Sequence, residues 1–395
     1  MDYKKIFHDE TAFSREYLQN RMEMYGFKNM SRMELFLWDL ELFLQIQKRL
    51  GEHIVLKGGA ATQFYLPIEA QRTSVDIDMI FCGTDEQVQN TLNDITKELG
   101  EGNEFFLFKE HIPKNPKTNL PMHTYHVDVP SVLSYKERNA EEGAVDKQEL
   151  KIEFIMESED WEHIRKTGKD IFAVESEFEY QLLPISHLFA DKLTTIGCHT
   201  IGVQDDRMDE QIKQFYDVAM LTIYRLDELD IKEVRRKYLK RAEKEWYDRK
   251  GSAYDIQEII ADVRKQLYRY SMVDSGEDAE LKKYINDFKA LYLNSKVEFS
   301  PQFVACEASL HQLYTVKGGV SSEALMISSK QYCGVSNGSA CTSKSYSPSY
   351  VLVAMGIPEE QIESSIRISW GHDVCKEDIC ENVENLLNVA KQIGL

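Results

Sequence analysis

The sequence has few of the features that mark membrane, secreted or disordered proteins. Only 9 of its 395 residues are proline, while 43% are hydrophobic and 11% are aromatic. This composition supports buried cores and excludes the disordered, collagenous and low-complexity classes. There is no run of 18 or more apolar residues, and the N-terminus is charged from Asp2 onward, so we expect neither a spanning helix nor a signal peptide. We therefore expect a cytosolic protein without membrane contact.

The sequence also has few basic residues relative to acidic ones. The chain has 47 Lys and Arg residues against 66 Asp and Glu residues, which gives a formal net charge of -19. This balance argues against a broad nucleic-acid footprint, because a phosphate backbone is held by clustered basic side chains. A small anionic substrate carried with a metal ion remains compatible with it. The length predicts two or three domains.

The seven cysteines do not form a disulfide framework in our interpretation, because their number is odd and a cytosolic chain keeps its thiols reduced. Five of the seven lie after residue 300. This enrichment sets the last quarter of the chain apart from the rest.

Alternating polarity predicts the secondary structure that matters most for function. Ser31 and Glu34 predict a capping box before a helix over residues 35–50, and residues 53–57 predict a buried strand that runs into a glycine turn. The next apolar residues, which are Val75, Ile77 and Met79, alternate with Asp76 and Asp78. That period of two predicts a strand with one face in the core and both aspartates on the other face.

The remaining pattern predicts an α+β architecture. Strand-like stretches continue to about residue 180, and helical signals dominate from 185 to about 294. Residues 295–305 have the composition of a connector, and a final helix is predicted over 376–393. We therefore expect three domains: a mixed-sheet core over 1–180, a helical domain over 181–300 and a small α/β domain over 301–395.

Two carboxylates at alternate positions of a strand are close enough to bridge divalent cations, as phosphoryl and nucleotidyl transfer require. Asp76 and Asp78 are the predicted Mg²⁺ ligands. Glu153, on a later strand, is the candidate third ligand, and the alternative is an exposed glutamate paired with a lysine.

The residues around this pair follow an ordered pattern. Lys57, Gly58 and Gly59 form a glycine turn, and Arg72 and Ser74 directly precede the aspartates. Backbone N–H groups of such a turn and a nearby arginine are suited to phosphate. The segment LKGGAATQFYLPIEAQRTSVDIDMIF resembles the AbiEii/AbiGii nucleotidyltransferase toxins of abortive infection, which have a polymerase-β-like mixed sheet with a helical bundle.

This resemblance implies a function and further site residues. It extends over about residues 30–225 and matches Lys192 to a lysine on the first helix of the family's helical part and Asp217 to an aspartate in a D-x-Y-D-like stretch. Lys192 would hold triphosphate oxygens and Asp217 would orient or deprotonate the acceptor. The expected activity is Mg²⁺-dependent transfer of NMP from an NTP to a hydroxyl of RNA, such as tRNA, or of protein, in a toxin of phage defence with an antitoxin partner.

The tail contains a second motif. Cys341 lies on a loop of small residues, VSNGSACTS, and Arg367 lies in the strand-like SIRIS. Over about residues 305–395 these segments resemble the small domain of NifS/IscS-type cysteine desulfurases, in the variant associated with DNA phosphorothioation. The resemblance implies that Cys341 carries a persulfide and that Arg367 binds a substrate carboxylate. Tyr350 and His372 depart from the family's histidine and arginine.

The pyridoxal-phosphate (PLP) domain of those fold-type I enzymes has no counterpart here, so we expect no PLP bound in cis and no autonomous desulfurase activity. Three roles for the tail stay open: sulfur relay from a partner desulfurase, docking of that partner, and a structural role such as homodimer formation.

Overall fold

A computed structural model of the chain describes most of its first three quarters. The described residues are 2–99, 105–112, 121–139, 146–250, 253–276 and 278–312, together with 335–336, 367–368, 378, 382 and 385–386 of the tail.

A mixed seven-stranded sheet forms the centre of the molecule. Its spatial order is β3-β4-β5-β2-β1-β7-β6. The pairs β2–β5 and β1–β7 are parallel, and the other neighbours are antiparallel. The strands are β1 (Ile54–Lys57), β2 (Asp76–Cys82), β3 (Leu107–His111), β4 (Met122–Pro130), β5 (Lys147–Glu157), β6 (Ile164–Thr167) and β7 (Glu179–Leu182).

Helices cover the sheet and continue as a bundle after it. Ten helices lie within residues 15–312 of the described chain. The expected α+β class, with a mixed sheet and a helical bundle, is confirmed. The helices are α1 (Arg15–Tyr25), α2 (Met30–Leu50), α3 (Gly58–Gln63), α4 (Asp85–Leu99), α5 (Ile185–Thr194), α6 (Met208–Arg225), α7 (Ile231–Lys250), α8 (Ile256–Ser271), α9 (Ala279–Tyr292) and α10 (Pro301–Gln312).

Helix α2 contributes a large part of the hydrophobic core. Fifteen of its 21 residues are buried, among them Phe36 and Phe43, because the helix is enclosed by the sheet and the N-terminal segment. Aromatic contacts extend this core: the ring of Phe36 stacks on Phe172, which also stacks on Phe27. The sheet core and the helices after residue 185 share one continuous set of buried apolar residues. The predicted boundary near residue 180 stays a prediction.

The predicted start of α2 is wrong. The helix begins at Met30 and its N-cap is Asn29, whose side chain accepts a hydrogen bond from the Arg32 N–H. The Glu34 side chain does not cap the helix, because its carboxylate accepts hydrogen bonds from Ser131 Oγ and the Val132 N–H. The local pattern favours a capping box, but tertiary contacts engage the glutamate instead.

The expected connector over residues 295–305 is only partly extended, because α10 begins at Pro301, a residue favoured in the first turn of a helix. In the tail, Val335–Ser336 (β8) and Arg367–Ile368 (β9) pair as a short antiparallel ladder. Among the residues that the structure describes, no helix is both long and apolar enough to cross a membrane.

Candidate active site

The predicted carboxylates meet at the centre of the sheet. Ile77 and Met79 are fully buried on one face of β2, so Asp76 and Asp78 share the other face. The parallel register of β2 and β5 places Glu153 directly beside Asp78. We call Asp76, Asp78 and Glu153 the carboxylate site. Its assembly from two neighbouring strands agrees with the expectation that Glu153 lies near the aspartates.

The charges of the carboxylate site are incompletely compensated. Burial, and then the charge of Glu153, raises the pKa of Asp78 to about 6, and burial likewise raises the pKa of Asp76. Among the described residues, one lysine forms ion pairs with the site: Lys151 Nζ lies 3.1 Å from Glu153 Oε1 and 3.8 Å from Asp76 Oδ1. The charges of Lys57, Lys192 and Lys213 also lower the pKa values of the aspartates, but each of these lysines is paired with a carboxylate outside the site. The lysine pairing that was the alternative for Glu153 is therefore present together with the clustering. A partly buried site with three carboxylates and one ion-paired lysine favours a divalent metal ion.

The glycine turn after β1 lies against the carboxylate site. Gly58 has a left-handed backbone with φ of 69°, and a Cβ there would stand 2.1 Å from Asp78 Oδ2. A Cβ on Gly59 would stand 2.6 Å from Arg72 Nη2 and 2.9 Å from Ser74 Oγ. Both glycines are therefore required for the close approach of backbone and side chains. The turn brings all five sequence-predicted nucleotide-binding residues of this segment within one region.

Lys57, at the end of β1, has a partner that the sequence did not indicate. Its Nζ lies 3.0 Å from Asp191 on α5, and Arg241 Nε on α7 is 3.6 Å from the same carboxylate. Although burial opposes it, the charges of Lys57 and Arg241 hold the pKa of Asp191 below its usual value. This pair fixes the ammonium of Lys57 against α5.

Asp217 is the centre of a second group of charges. Its two oxygens each accept a hydrogen bond of 2.7 Å from Arg72, through Nε and Nη2. Lys192 Nζ lies 2.7 Å from Asp217 Oδ2 and also donates to Gln214 Oε1 at 2.8 Å. We call Arg72, Lys192 and Asp217 the ion cluster. Burial would raise the pKa of Asp217, but the two cations hold it below its usual value.

These residues lie within one family domain. The family model described as nucleotidyl transferase AbiEii toxin, type IV toxin–antitoxin system, matches residues 42–298, which is more than half of the chain. The match includes every member of the carboxylate site and of the ion cluster. The chain belongs to the AbiEii nucleotidyltransferase toxin family. The resemblance found in the sequence is thereby confirmed, and the AbiEii domain is a toxin-type nucleotidyltransferase.

Two solved structures are similar to the AbiEii chain. MenT4, a nucleotidyltransferase toxin from Mycobacterium tuberculosis, is 13% identical, with a TM-score of 0.39 over 75% of this chain and 98% of its own. JHP933 from Helicobacter pylori is 14% identical, with a TM-score of 0.32 over 78% of this chain and 94% of its own.

Curated cysteine desulfurases are also similar to a part of the chain. Cysteine desulfurase IscS of Proteus mirabilis is 34% identical over 137 residues, which cover 34% of this chain and 30% of that protein. IscS of Acinetobacter baumannii is 46% identical over 72 residues, or 18% of this chain and 16% of that protein. The desulfurase-like resemblance is confirmed, and the chain spans less than a third of the length of these relatives.

The desulfurase-like residues are only partly described. Cys341 lies outside the described residues. Arg367 lies on β9, where its backbone pairs with Ser336 of β8. Their roles as persulfide carrier and carboxylate-binding residue stay predictions.

Sequence reasoning missed Asp39, a buried carboxyl on α2 of the AbiEii chain. It is 1% exposed, and neither of its oxygens has a hydrogen-bond partner in the described part of the chain. Burial raises its pKa well above the usual value, and the charges of Asp76 and Asp78 add to this effect. The neutral form of Asp39, which burial favours, would add no negative charge beside the carboxylate site. The apolar stretch around it predicts only helix, so no local signal distinguishes it.

Proposed function

We propose that this protein transfers a nucleoside monophosphate from an NTP to a hydroxyl of RNA, such as tRNA, or of protein, in a reaction that depends on Mg²⁺. The observation that supports this proposal best is the carboxylate site. Asp76 and Asp78 share one face of β2, and Glu153 lies in register beside Asp78 on β5. Adjacent carboxylates on rigid strands are what metal-dependent nucleotidyl transfer requires.

The residues present fit Mg²⁺. All three donors are carboxylates, the ligand type that Mg²⁺ prefers, and their mutual repulsion would be relieved by a cation. Asp76 and Asp78 would hold the ion, with Glu153 as the third candidate ligand. When bound, Mg²⁺ would align the triphosphate and neutralise charge on its oxygens.

The chain's own cations would bind and orient the triphosphate. Lys192 and Arg72 are held by Asp217, and Lys57 is held by Asp191. Cations fixed before substrate arrives lose little freedom on binding it, so they stabilise developing charge efficiently. The glycine turn would allow the phosphates to approach the backbone beside Asp78.

We assign Asp217 a positioning role, which differs from the sequence prediction. That prediction placed its carboxylate near the acceptor hydroxyl. Both oxygens accept hydrogen bonds from Arg72, one also contacts Lys192, and the side chain is 0% exposed. A carboxylate engaged in this way is poorly placed to take a proton, so its contribution is to hold the two cations.

The test is label transfer from each of the four α-labelled NTPs to RNA and to protein of a bacterial extract. We expect transfer that needs Mg²⁺ and that Asp76→Ala reduces at least about a thousandfold, since metal-ligand loss removes several kcal/mol of transition-state stabilisation. Asp94→Ala, on the exposed face of α4, is the matched control and should retain full transfer. Absence of label, or equal transfer by Asp76→Ala, would contradict the proposal.

A toxin with this activity should arrest growth when its synthesis is induced in a bacterial host, in keeping with the phage-defence role expected from the sequence. The family's toxin–antitoxin description supports an antitoxin as partner. Growth arrest by the wild type and normal growth with Asp76→Ala would connect toxicity to the carboxylate site. Arrest by both proteins would place toxicity elsewhere in the chain.

A second candidate function, sulfur relay, is supported by the likeness to IscS. The Cys341 thiolate would attack the terminal sulfur of a partner desulfurase's persulfide, form a new S–S bond and release the partner's thiolate. Mass spectrometry after incubation with an active desulfurase and cysteine should find one added sulfur on Cys341. Cys341→Ser should lose it, and Cys82→Ser should keep it. Activities unaffected by Cys341→Ser would favour a structural or oligomerisation role for the tail.

A further inference from the structure

Lys57 lies beside a candidate metal ligand without pairing with it. In the antiparallel ladder of β1 and β2, Lys57 is directly opposite Asp78. Side chains of directly opposite residues share one face of the sheet, with Cβ atoms about 5 Å apart, so the ammonium of the lysine is able to reach the Asp78 carboxylate. In the described part of the chain, however, the carboxylate with which Lys57 forms an ion pair is Asp191, on α5. A cation next to the carboxylate site is therefore directed away from it.

The sheet places Glu153, Asp78 and Lys57 in one row across β5, β2 and β1. The Asp78 carboxylate lies close to β1, because a Cβ on Gly58, the residue after Lys57, would stand only 2.1 Å from Asp78 Oδ2. An ion pair between Lys57 and Asp78 is therefore the simplest alternative to the observed contact. Such a pair would neutralise a carboxylate that the proposed metal ion needs.

Asp191 competes for the lysine with both of its oxygens. Lys57 Nζ lies 3.0 Å from Oδ1 and 3.0 Å from Oδ2. The side chains of Lys57 and Asp191 are only 10% and 14% exposed, so solvent screens their attraction weakly. Burial raises the pKa of Asp191, but the charges of Lys57 and Arg241 outweigh this effect and hold it below its usual value. Asp191 is therefore an ionised partner for the lysine.

Arg241, on α7, supports Asp191. Its Nε lies 3.6 Å from Asp191 Oδ1 and has no hydrogen-bond partner among the described residues. The rest of the guanidinium is held by two glutamates, with Nη2 at 2.7 Å from Glu245 of the same helix and Nη1 at 3.7 Å from Glu157 at the end of β5. These contacts fix the guanidinium beside Asp191.

We propose that Asp191 is a positioning residue that holds the Lys57 ammonium away from Asp78 and so keeps the carboxylate site open for a divalent cation, with Arg241 holding Asp191 in place. The inference rests on the proposed function, because it takes the carboxylate site as the metal site. Asp191 touches no reacting atom and acts through Lys57. When Asp191 loses its charge, Lys57 pairs with Asp78 and competes with the metal ion.

The test measures Mn²⁺ binding to the metal-free full chain by electron paramagnetic resonance, which counts free Mn²⁺ and needs no turnover. Mn²⁺ replaces Mg²⁺ because both prefer carboxylate oxygens. The binding that Asp76→Ala abolishes defines the carboxylate site. Asp191→Asn should weaken this binding about 10- to 100-fold, as loss of an outer partner does at metal sites. Asp262→Asn, at a buried aspartate paired with His199, is the matched control and should bind Mn²⁺ as the wild type does.

Lys57→Met distinguishes a moved lysine from a general loss of negative charge. If charge acts only at a distance, removing the lysine strengthens Mn²⁺ binding by the same factor with Asp191 or with Asn at that position. If Asp191 restrains Lys57, Lys57→Met changes the affinity by less than about threefold in the wild type and restores at least about tenfold in Asp191→Asn. Equal factors in the two backgrounds would overturn the proposal.

The outcomes separate this inference from the function on which it rests. Unchanged Mn²⁺ affinity in Asp191→Asn would overturn the positioning role and leave the metal site intact. Wild-type binding that Asp76→Ala does not reduce would contradict the metal site, and the inference with it. Circular dichroism verifies that each variant is folded. If Asp191→Asn does not fold, Lys57→Met alone decides, because a lysine that already contacts Asp78 in the wild type would reveal itself by binding at least about tenfold tighter after its removal.

Discussion

The carboxylate site and the ion cluster are built from the same kind of side chain and have opposite electrostatics. At the carboxylate site, burial and mutual repulsion raise the pKa of Asp78 to about 6. In the ion cluster, Arg72 and Lys192 hold the pKa of Asp217 below its usual value although Asp217 is the more deeply buried of the two. The first group has uncompensated negative charge, whereas in the second group the one carboxylate is compensated by two cations, which leaves a net positive charge.

This difference teaches how to distinguish a binding carboxylate from a structural one. A buried carboxylate with a complete set of protein partners stabilises its neighbours and has little capacity left for a ligand. A group of buried carboxylates with too few partners costs folding free energy, and a cation from solution relieves that cost. The comparison therefore predicts opposite responses when a charge is removed from each group.

The largest effect should come from the ion cluster. Asp217→Ala leaves Arg72 and Lys192 buried without their shared partner, so we expect a loss of about 3–5 kcal/mol in the free energy of unfolding. Urea denaturation measures it. Asp227→Ala, at an exposed aspartate shortly after α6, is the control and should stay within about 0.5 kcal/mol of the wild type. A loss below about 1 kcal/mol for Asp217→Ala would mean that other groups compensate the cations.

The close approach of the glycine turn to the carboxylate site can be tested by adding a methyl group. Gly58→Ala places a methyl group 2.1 Å from Asp78 Oδ2 and 2.9 Å from Asp78 Cβ, so the strand itself must move. We expect a loss of about 1–3 kcal/mol from the left-handed backbone, with a further loss from this clash. Gly276→Ala is the matched control, because Gly276 has a similar φ of 83° and nothing within 4 Å of the added Cβ. Equal losses of free energy of unfolding in the two variants would show that the clash with Asp78 does not destabilise the protein.

Removing charge from the carboxylate site should have the opposite sign. Asp78→Asn abolishes the repulsion with Glu153 and the cost of burying a charge. A pKa raised from 3.8 to about 6 corresponds to a gain of about 1–3 kcal/mol in the free energy of unfolding at pH 7 without metal. The same variant should lose label transfer. Urea denaturation in the presence of a chelator measures the gain. Asp94→Asn, at an exposed position, is the control. If Asp78→Asn were less stable than the wild type, the charge of Asp78 would have to be compensated within the protein.

Sequence reasoning found the carboxylate site because strand periodicity is local. The alternation of Ile77 and Met79 with the aspartates determines their common face, and it needs no knowledge of the rest of the fold. The position of Glu153 depends on which strands become neighbours, so the sequence provided a candidate and the sheet supplied the register. The resemblance named Lys192 and Asp217 without indicating that they bind each other.

The residues that sequence reasoning missed depend on contacts between distant segments. Asp191 contacts Lys57 across 134 positions. Asp39 is identified only because, once the helix is packed, its oxygens have no hydrogen-bond partner among the residues that the structure describes. The same cause explains the error at α2, where Glu34 contacts Ser131 and Val132 rather than its own helix end. Local patterns predict elements, whereas pairing of buried charges is decided by tertiary structure.

The smallest effect is a pH dependence that separates the two groups of carboxylates. Asp78 must be ionised to hold a cation, so label transfer should fall about tenfold per pH unit below pH 6, which is about 1.4 kcal/mol per unit. The pKa of Asp217 is lowered, so the ion cluster and the fold should persist over the same range, as circular dichroism would verify. Because the folded-state pKa of Asp78 is raised, the folded protein takes up this proton first as the pH falls from about 6 to 3.8, and the repulsion disappears. The stability gain of Asp78→Asn should therefore be present at pH 7 and absent below about pH 4, and a gain that does not vary with pH would assign the effect to packing rather than to charge.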